Sequence, residues 1–142
     1  MITINPYLSF SGNCEEAFNF YRSVFGGEFT ELQRFKDAPH EGQPSGAETE
    51  WIMHVALPIG EGNVLMGSDT PSGMGQVKQG SNYSISLQTS TDEETDRLFI
   101  GLSAGGQVTM PLEKTFWGAR FGMFVDKFGI NWMVNQDVSQ EE

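Results

Sequence analysis

Hydrophobic and polar positions follow the same order twice along the chain. In the first half, Asn13 occupies a predicted helix N-cap, and Glu16 follows three positions later in the place of a capping-box acid. The glycine pair at 26–27 ends the predicted helix. Between these ends, apolar residues recur at helical spacing and form one face: Cys14, Ala17, Phe18, Tyr21 and Phe25.

The second half repeats this helix. Thr91 is its predicted N-cap, Glu94 takes the capping-box position, and the glycine pair at 105–106 ends it. Its apolar face consists of Leu98, Phe99 and Leu102. The two N-caps are 78 residues apart (91 minus 13) and the two glycine pairs 79 apart (105 minus 26). An offset that holds across a whole helix indicates an internal duplication.

The remaining apolar runs predict strands at 7–10, 28–35, 51–58 and 64–69 in the first half and at 83–89, 107–112, 116–125 and 130–135 in the second. Each half is thus a strand, a helix and three more strands. We predict one α+β domain over residues 1–142, with module one at about 1–70, a linker at 71–80 and module two at about 81–136. Residues 36–50 form a long polar loop, and loops of this length are often functional or mobile.

The strand at 116–125 has two faces of different character. Alternation predicts that its apolar face packs under a helix, a set made up of Trp117, Ala119, Phe121, Met123 and Val125. Arg120 would then point to the open face, away from the helix. Its glycine neighbours at 118 and 122 leave space above the guanidinium.

The same alternation in the strand at 51–58 places His54 on the open face of the first half. His54 follows Trp51 by three residues, as Arg120 follows Trp117, so we predict that His54 and Arg120 are pseudo-symmetric partners facing one concavity. Hydrogen-bonding and soft apolar side chains complete the predicted cavity: Val64, Met66, Ser68, Ser84, Ser86, Gln88, Asn131, Met133 and Asn135. Such a lining suits an organic ligand, although a solvated sheet face would also carry polar residues.

The net charge of the chain limits which binding partners are expected. With 142 residues and a net charge of −11, the chain is predicted to bind neither nucleic acid nor an anionic membrane, which carry the same sign of charge. The acidity is compatible with a neutral or cationic small molecule, or it serves solubility alone. A single cysteine fits a reducing compartment. Without a signal peptide or an apolar run of about 18 residues, we expect a cytoplasmic protein.

Three segments together resemble the vicinal oxygen chelate superfamily, which includes glyoxalases, bleomycin-resistance proteins and extradiol dioxygenases, and most closely its PhnB-like branch. They are PYLSFSGNCEEAFNFYRSVFGGE, MHVALPIGEGNVLMGSD and GGQVTMPLEKTFWGARFGMFVDKFGINWM. The resemblance implies two paired βαβββ modules that form a cupped mixed sheet. It also implies a homodimer with ligand sites inside the cup.

Metal-dependent members of that superfamily hold a divalent ion with histidines on the first strand of each module and acids on the last. By the resemblance, the two histidine positions fall on Pro6 in module one and on Ser84 or Ser86 in module two. The two acid positions fall on Met66 and Met133. None of these side chains suits a hard metal ion. We therefore expect no metal and no cofactor, and the remaining histidines, His40 and His54, share no ligand spacing.

Three residues have two interpretations each. Cys14 lies in a first helical turn, which favours a reactive thiol, but also on the apolar stripe, which favours a buried one. Arg120 either anchors a ligand carboxylate or phosphate, or pairs with an acid such as Asp126 or Glu113. His54 is either a general base or a structural histidine.

Two hypotheses follow for the function. The first is an acidic homodimer that binds a small organic molecule between aromatic walls without a metal ion. Aromatic faces attract cations, so a cationic molecule is one candidate ligand. The second is a glyoxalase-like lyase, isomerase or dioxygenase that uses a metal with other ligands, or His54 and Arg120 as base and anion holder. The sequence leaves open whether the protein is an enzyme.

Overall fold

The computed structural model describes residues 1–37 and 44–137. The chain divides between Lys78 and Gln79 into two compact units, and this division lies inside the predicted linker. The first unit is called module one and the second module two. His40, in the predicted loop, falls outside the described residues.

Module one contains β1 (Tyr7–Phe10), α1 (Cys14–Phe25), β2 (Glu31–Arg34), β3 (Ile52–Ile59) and β4 (Asn63–Asp69). Its four strands form one mixed sheet in the order β1-β4-β3-β2, in which β1 runs parallel to β4 and the other pairs are antiparallel. Three short 3₁₀ helices are also present. One, Phe35–Asp37, begins at the end of the predicted strand 28–35, and the others, Gly46–Glu50 and Ser72–Met74, lie in the predicted loop and linker.

Module two contains β5 (Ile85–Thr89), α2 (Asp92–Ser103), β6 (Gln107–Lys114), β7 (Ala119–Val125) and β8 (Asn131–Asp137). Its strand order, β5-β8-β7-β6, and its strand directions repeat those of module one. The predicted α+β class and the duplicated βαβββ pattern are confirmed. Neither helix is long and apolar enough to cross a membrane, among the residues described.

In each module, the helix packs on one face of its own sheet. In module one, Leu57 and Leu65 are paired across β3 and β4 and are fully buried there. A Cβ built on Gly67 would lie 2.6 Å from the ring of Phe18, so this glycine lets α1 approach the sheet closely. In module two, Trp132 and Val134 of β8 are fully buried in the same way.

The predicted faces of β7 are inverted. Arg120, Gly122 and Phe124 face α2: the ring of Phe99 packs edge-on against Phe124 at 5.1 Å and occupies the space where a Cβ on Gly122 would lie. The glycine that suggested room above Arg120 is therefore the place where a helix ring meets the sheet. Phe121, Met123 and Val125 of β7 lie on the open face, which is the side of each sheet away from its own helix.

The start of β7 also differs from the prediction. The strand begins at Ala119 rather than Phe116, because residues 115–118 form a turn in which the Gly118 amide donates to the Thr115 carbonyl. Trp117 is 58% exposed in this turn, so its predicted packing under a helix is wrong. In β8, the residues predicted for the cavity side, Asn131, Met133 and Asn135, alternate with the buried Trp132 and Val134, so the alternation used for this strand is confirmed.

Candidate functional site

The open face of module one carries three of the predicted site residues. The register pairs Tyr7 with Met66 and Ser9 with Ser68 across β1 and β4, and Ala56 with Met66 across β3 and β4. His54 lies two residues before Ala56 and points to the same side, where it contacts Tyr7. Met66, Ser68 and His54 therefore share one sheet face, as the alternation predicts, while their role in binding remains a prediction.

A β-bulge shapes this face. Gln33 pairs with His54 and Arg34 pairs with Ile52, so β3 carries one extra residue, Met53, at this point. The Ile52 amide, which turns to the helix side, donates to Asp69 Oδ2 at 2.9 Å. Met53, the bulged residue, and Ser68 both line one cavity.

His54 is part of a chain of polar groups. The Tyr7 Oη atom lies 3.2 Å from His54 Nδ1, and the two rings are stacked with their centroids 5.7 Å apart. On the other side of the imidazole, Nε2 lies 3.5 Å from Glu31 Oε2. A carboxylate at Nε2 favours the tautomer with its hydrogen on Nε2, which leaves Nδ1 to accept from the Tyr7 hydroxyl.

Next to Ser68 lies a cavity of about 320 Å³. Its walls are mainly apolar and come from β3, from the end of β4 and from the flanking 3₁₀ segments: Phe35, Pro44, Met53, Ser68, Asp69, Thr70, Pro71 and Met74. The volume and the mixture of apolar walls with a few hydroxyls suit a small organic ligand.

Two larger clefts have different linings. One of about 540 Å³ surrounds the ion pair between Arg34 and Glu15, whose closest N–O distance is 2.7 Å. The hydrogen bond from Arg34 lowers the pKa of Glu15 and raises the pKa of the guanidinium. Arg34 thus links β2 to α1 through Glu15. It also donates to the carbonyl of Glu50, which links β2 to the 3₁₀ helix Gly46–Glu50. The other cleft, of about 590 Å³, lies between residues 44–48 and residues 71–74.

Arg120 does not lie on the open face. It donates to Asp92 at 3.2 Å, to Asp96 at 2.9 Å and to Gln136 at 3.0 Å, all on the helix side of the sheet. The hydrogen bond that Arg120 donates to Asp96, with the charges of both acids, raises the pKa of the arginine. The interpretation that Arg120 pairs with acids is thus confirmed, with different acids from Asp126 and Glu113.

Register also corrects the predicted pairing of His54 with Arg120. Ala56 faces Met66 in module one, and Met123 faces Met133 in module two, which makes these two pairs equivalent. Two residues before Ala56 is His54, and two residues before Met123 is Phe121. An aromatic side chain therefore occupies the position in module two that corresponds to the imidazole.

The open face of module two carries both apolar and polar side chains. Ser86 and Met133 are paired across β5 and β8, and Met133 faces Met123 across β7. Asn131 is held by its own module, because its side chain donates to the Gly80 carbonyl at 2.7 Å. Ser84 lies just before β5 and is half-buried. Binding by these residues remains a prediction.

The side chains at the family's metal positions do not fit a hard divalent ion. The Met66 amide donates to the Pro6 carbonyl at 3.1 Å, and Ser86 pairs with Met133, so these positions are adjacent on neighbouring strands as the resemblance implies. The groups they present are a proline ring, two thioethers and a hydroxyl. Within residues 1–37 and 44–137, no cluster of three His, Cys, Asp or Glu side chains forms an alternative set.

Cys14 is fully buried in the first turn of α1. Burial, together with the nearby carboxylates of Asp69 and Glu15, raises the pKa of its thiol. The thiolate is therefore disfavoured, which agrees with the interpretation of Cys14 as a structural residue.

Sequence reasoning missed Tyr7, Glu31 and Met53 at this site. Tyr7 and Glu31 do follow the alternation of short edge strands, and each is exposed. Their contact with His54 depends on the strand order β1-β4-β3-β2. In this order Glu31 lies on the strand next to β3, which carries His54, and Tyr7 lies on β1, with β4 between them. Met53 was hidden by the bulge, which breaks the alternation.

Comparisons with known proteins agree with this fold. Residues 3–134 match the glyoxalase/bleomycin resistance protein/dioxygenase superfamily. The chain is 34% identical to protein YjdN of Escherichia coli strain K12, over 93% of each chain. The crystal structure of protein PA1353 from Pseudomonas aeruginosa is 41% identical, covers 96% of this chain and 98% of its own, and has a TM-score of 0.85.

A PhnB protein from Bacillus cereus, described as a putative 3-demethylubiquinone-9 3-methyltransferase, is also similar. It shares 27% identity, covers 95% of this chain and 99% of its own, and has a TM-score of 0.75.

Proposed function

Because this chain belongs to the glyoxalase/bleomycin resistance protein/dioxygenase superfamily, we propose that it binds a small organic molecule on the open face of module one, without a metal ion. The observation that supports this most strongly is the 320 Å³ cavity beside Met53 and Ser68. Methionine side chains are polarisable and adapt to irregular ligands, while the Ser68 hydroxyl supplies a directional hydrogen bond.

The charge of the molecule favours a cationic or neutral ligand. A net charge of −11 attracts cations and repels anions at long range. The half-exposed ring of Tyr7 and the carboxylate of Glu31 lie on the same face, and both stabilise a positive charge. We include the homodimer and the cytoplasmic location in the proposal, as expectations from the family resemblance and the composition.

The methyltransferase activity in the name of the Bacillus cereus protein is not part of this proposal. The glycine-rich segments of the present chain do not form a G-x-G-x-x-G motif between a strand and a helix, which would bind a nucleotide cofactor. The lyase, isomerase or dioxygenase alternative built on His54 and Arg120 gains no support from Arg120, whose donors are held by Asp92, Asp96 and Gln136.

A substitution that fills the cavity tests the proposal. Ser68→Phe places a ring where the ligand is expected, and Ser23→Phe makes the same chemical change at an exposed site on α1. We expect benzyltrimethylammonium or benzyl alcohol, measured by ligand-observed NMR, to bind the wild-type protein and the Ser23→Phe variant. Binding to the Ser68→Phe variant should fall about tenfold or more, since the ring excludes the ligand. Equal binding by both variants would contradict the proposal.

A further inference from the structure

We propose that Tyr7, hydrogen-bonded to His54, and Glu31, close to the other side of the imidazole, form a relay that makes the Tyr7 phenol oxygen a nucleophile toward small acyl donors such as esters. The inference deepens the proposed function, on which it rests, because the relay lies on the same open face as the proposed ligand cavity. It adds a reaction and a substrate class that binding alone does not require.

The first link orients the imidazole. Glu31 Oε2 lies 3.5 Å from His54 Nε2, and the stacked Tyr7 ring fixes the plane of the imidazole at 24° to its own. A carboxylate in this place holds the hydrogen on Nε2 and stabilises the imidazolium that forms when Nδ1 takes up a proton. The imidazole is 24% exposed, whereas the Glu31 carboxylate is 57% exposed and stays in contact with water.

The second link connects the imidazole to the phenol. Tyr7 Oη lies 3.2 Å from Nδ1, within reach for proton transfer from the hydroxyl to the ring. Tyr7 is 48% exposed, so an incoming molecule can reach its oxygen. A nucleophile, a base within hydrogen-bond reach and a third group that orients the base are the usual arrangement for covalent catalysis.

The reaction is an acyl transfer. As the phenol oxygen attacks the carbonyl carbon, its proton moves to His54 Nδ1, and the bond from the acyl carbon to the leaving group breaks. The imidazolium then donates that proton to the leaving group, and His54 returns to its neutral form. The products are an acylated Tyr7 and the protonated leaving group, and no electrons are gained or lost by the protein.

The chain contains its own control tyrosines. Tyr83 is 41% exposed, close to the exposure of Tyr7, but its Oη accepts from the Asn131 amide at 3.3 Å instead of contacting an imidazole. Tyr21 is fully buried. Exposure alone therefore predicts similar reactivity for Tyr7 and Tyr83, whereas the relay predicts a difference.

Acetylation by N-acetylimidazole, followed by peptide mass spectrometry at early times, measures this difference. We expect Tyr7 to react about tenfold faster than Tyr83, a modest part of the roughly 10²–10⁴-fold effect of a positioned base. His54→Phe keeps a ring beside Tyr7 and should bring the Tyr7 rate close to that of Tyr83. Glu31→Gln, at an exposed position, should lower the Tyr7 rate by several-fold.

The matched control is Glu61→Gln, which makes the same change as Glu31→Gln in an exposed turn outside the relay and should leave the ratio of the two rates unchanged. Equal rates for Tyr7 and Tyr83 in the wild-type protein would overturn the proposal, as would a fast Tyr7 that persists in both His54→Phe and Glu31→Gln. Because acetylation needs no bound ligand, this result is independent of the test with Ser68→Phe, so either proposal can fail alone.

Discussion

At the scale of single residues, buried aspartates hold the loops of each module to its sheet. Asp69 is 3% exposed and accepts hydrogen bonds from the amides of Gly12, Cys14 and Ile52 at 2.7, 3.0 and 2.9 Å. In module two, Asp126 accepts from the amides of Phe128 and Ile130 and from the indole of Trp132. Each carboxylate replaces water for several donors at once.

The substitution Asp69→Ala tests the importance of this group. It removes the partner of three amides, each of which costs about 1–3 kcal/mol when left unsatisfied in the interior. We expect the free energy of unfolding, measured in urea, to fall by about 3 kcal/mol or more. Glu61→Ala, in an exposed turn, is the control and should stay within about 0.5 kcal/mol of the wild type. A loss for Asp69→Ala as small as that of the control would refute the assignment.

Such residues mark a limit of prediction from the sequence. Asp69 is the last residue of β4 and Asp126 directly follows β7, and at a strand end an acidic residue is normally taken to face water. Their burial depends on amides supplied by segments as distant as Gly12, which lies 57 positions before Asp69. The same limit applies to Arg120, because its partners Asp92 and Asp96 lie on a helix that alternation within a single strand does not consider.

At the scale of elements, the two helices begin in different ways despite the duplication. The Thr91 hydroxyl accepts from the Glu94 amide at 3.1 Å, so the predicted N-cap of α2 is confirmed, while the Glu94 carboxylate accepts from the amide of Ser90 at 3.3 Å rather than from that of Thr91. Asn13 precedes α1 as predicted, but its side chain makes no capping hydrogen bond. Asp69 accepts from the first amide of α1, that of Cys14, instead.

This difference predicts unequal effects of two equivalent substitutions. Thr91→Ala should lower the free energy of unfolding by about 1 kcal/mol, the usual effect of losing a helix cap. Asn13→Ala should change it by less than about 0.5 kcal/mol, because no hydrogen bond is lost. Urea titrations of both variants provide the comparison. If Asn13→Ala lowers the free energy of unfolding as much as Thr91→Ala does, the Asn13 side chain caps α1, and the assignment of Asp69 as the acceptor at this helix start is wrong.

Strand faces were predictable where polar and apolar residues alternate cleanly. In β8, Trp132 and Val134 are buried while Asn131 and Met133 are not, and the prediction is confirmed. In β7 an almost continuous apolar run offered no such contrast, and Arg120 was taken as the polar marker of the open face. The side chain is instead neutralised by the acids of α2, so its charge does not require solvent.

At the scale of the whole molecule, duplication preserved the fold and let the two open faces diverge. Module one carries His54, Tyr7 and Glu31, whereas module two has Phe121 at the position that corresponds to His54. Neither module presents hard metal ligands at the positions that the family uses for them. The central claim is therefore that an organic ligand binds module one without a metal ion.

Methionine methyl NMR tests this claim most directly. With ¹³C-methyl labels, the chain reports from Met53, Met66 and Met74 in module one and from Met110, Met123 and Met133 in module two. In chelator-treated protein, benzyltrimethylammonium or benzyl alcohol should cause saturable shifts at Met53 and Met74, and Zn²⁺ should not change the affinity. The claim is contradicted if the module one methyl signals stay unchanged at millimolar ligand, or if they move only after Zn²⁺ is added.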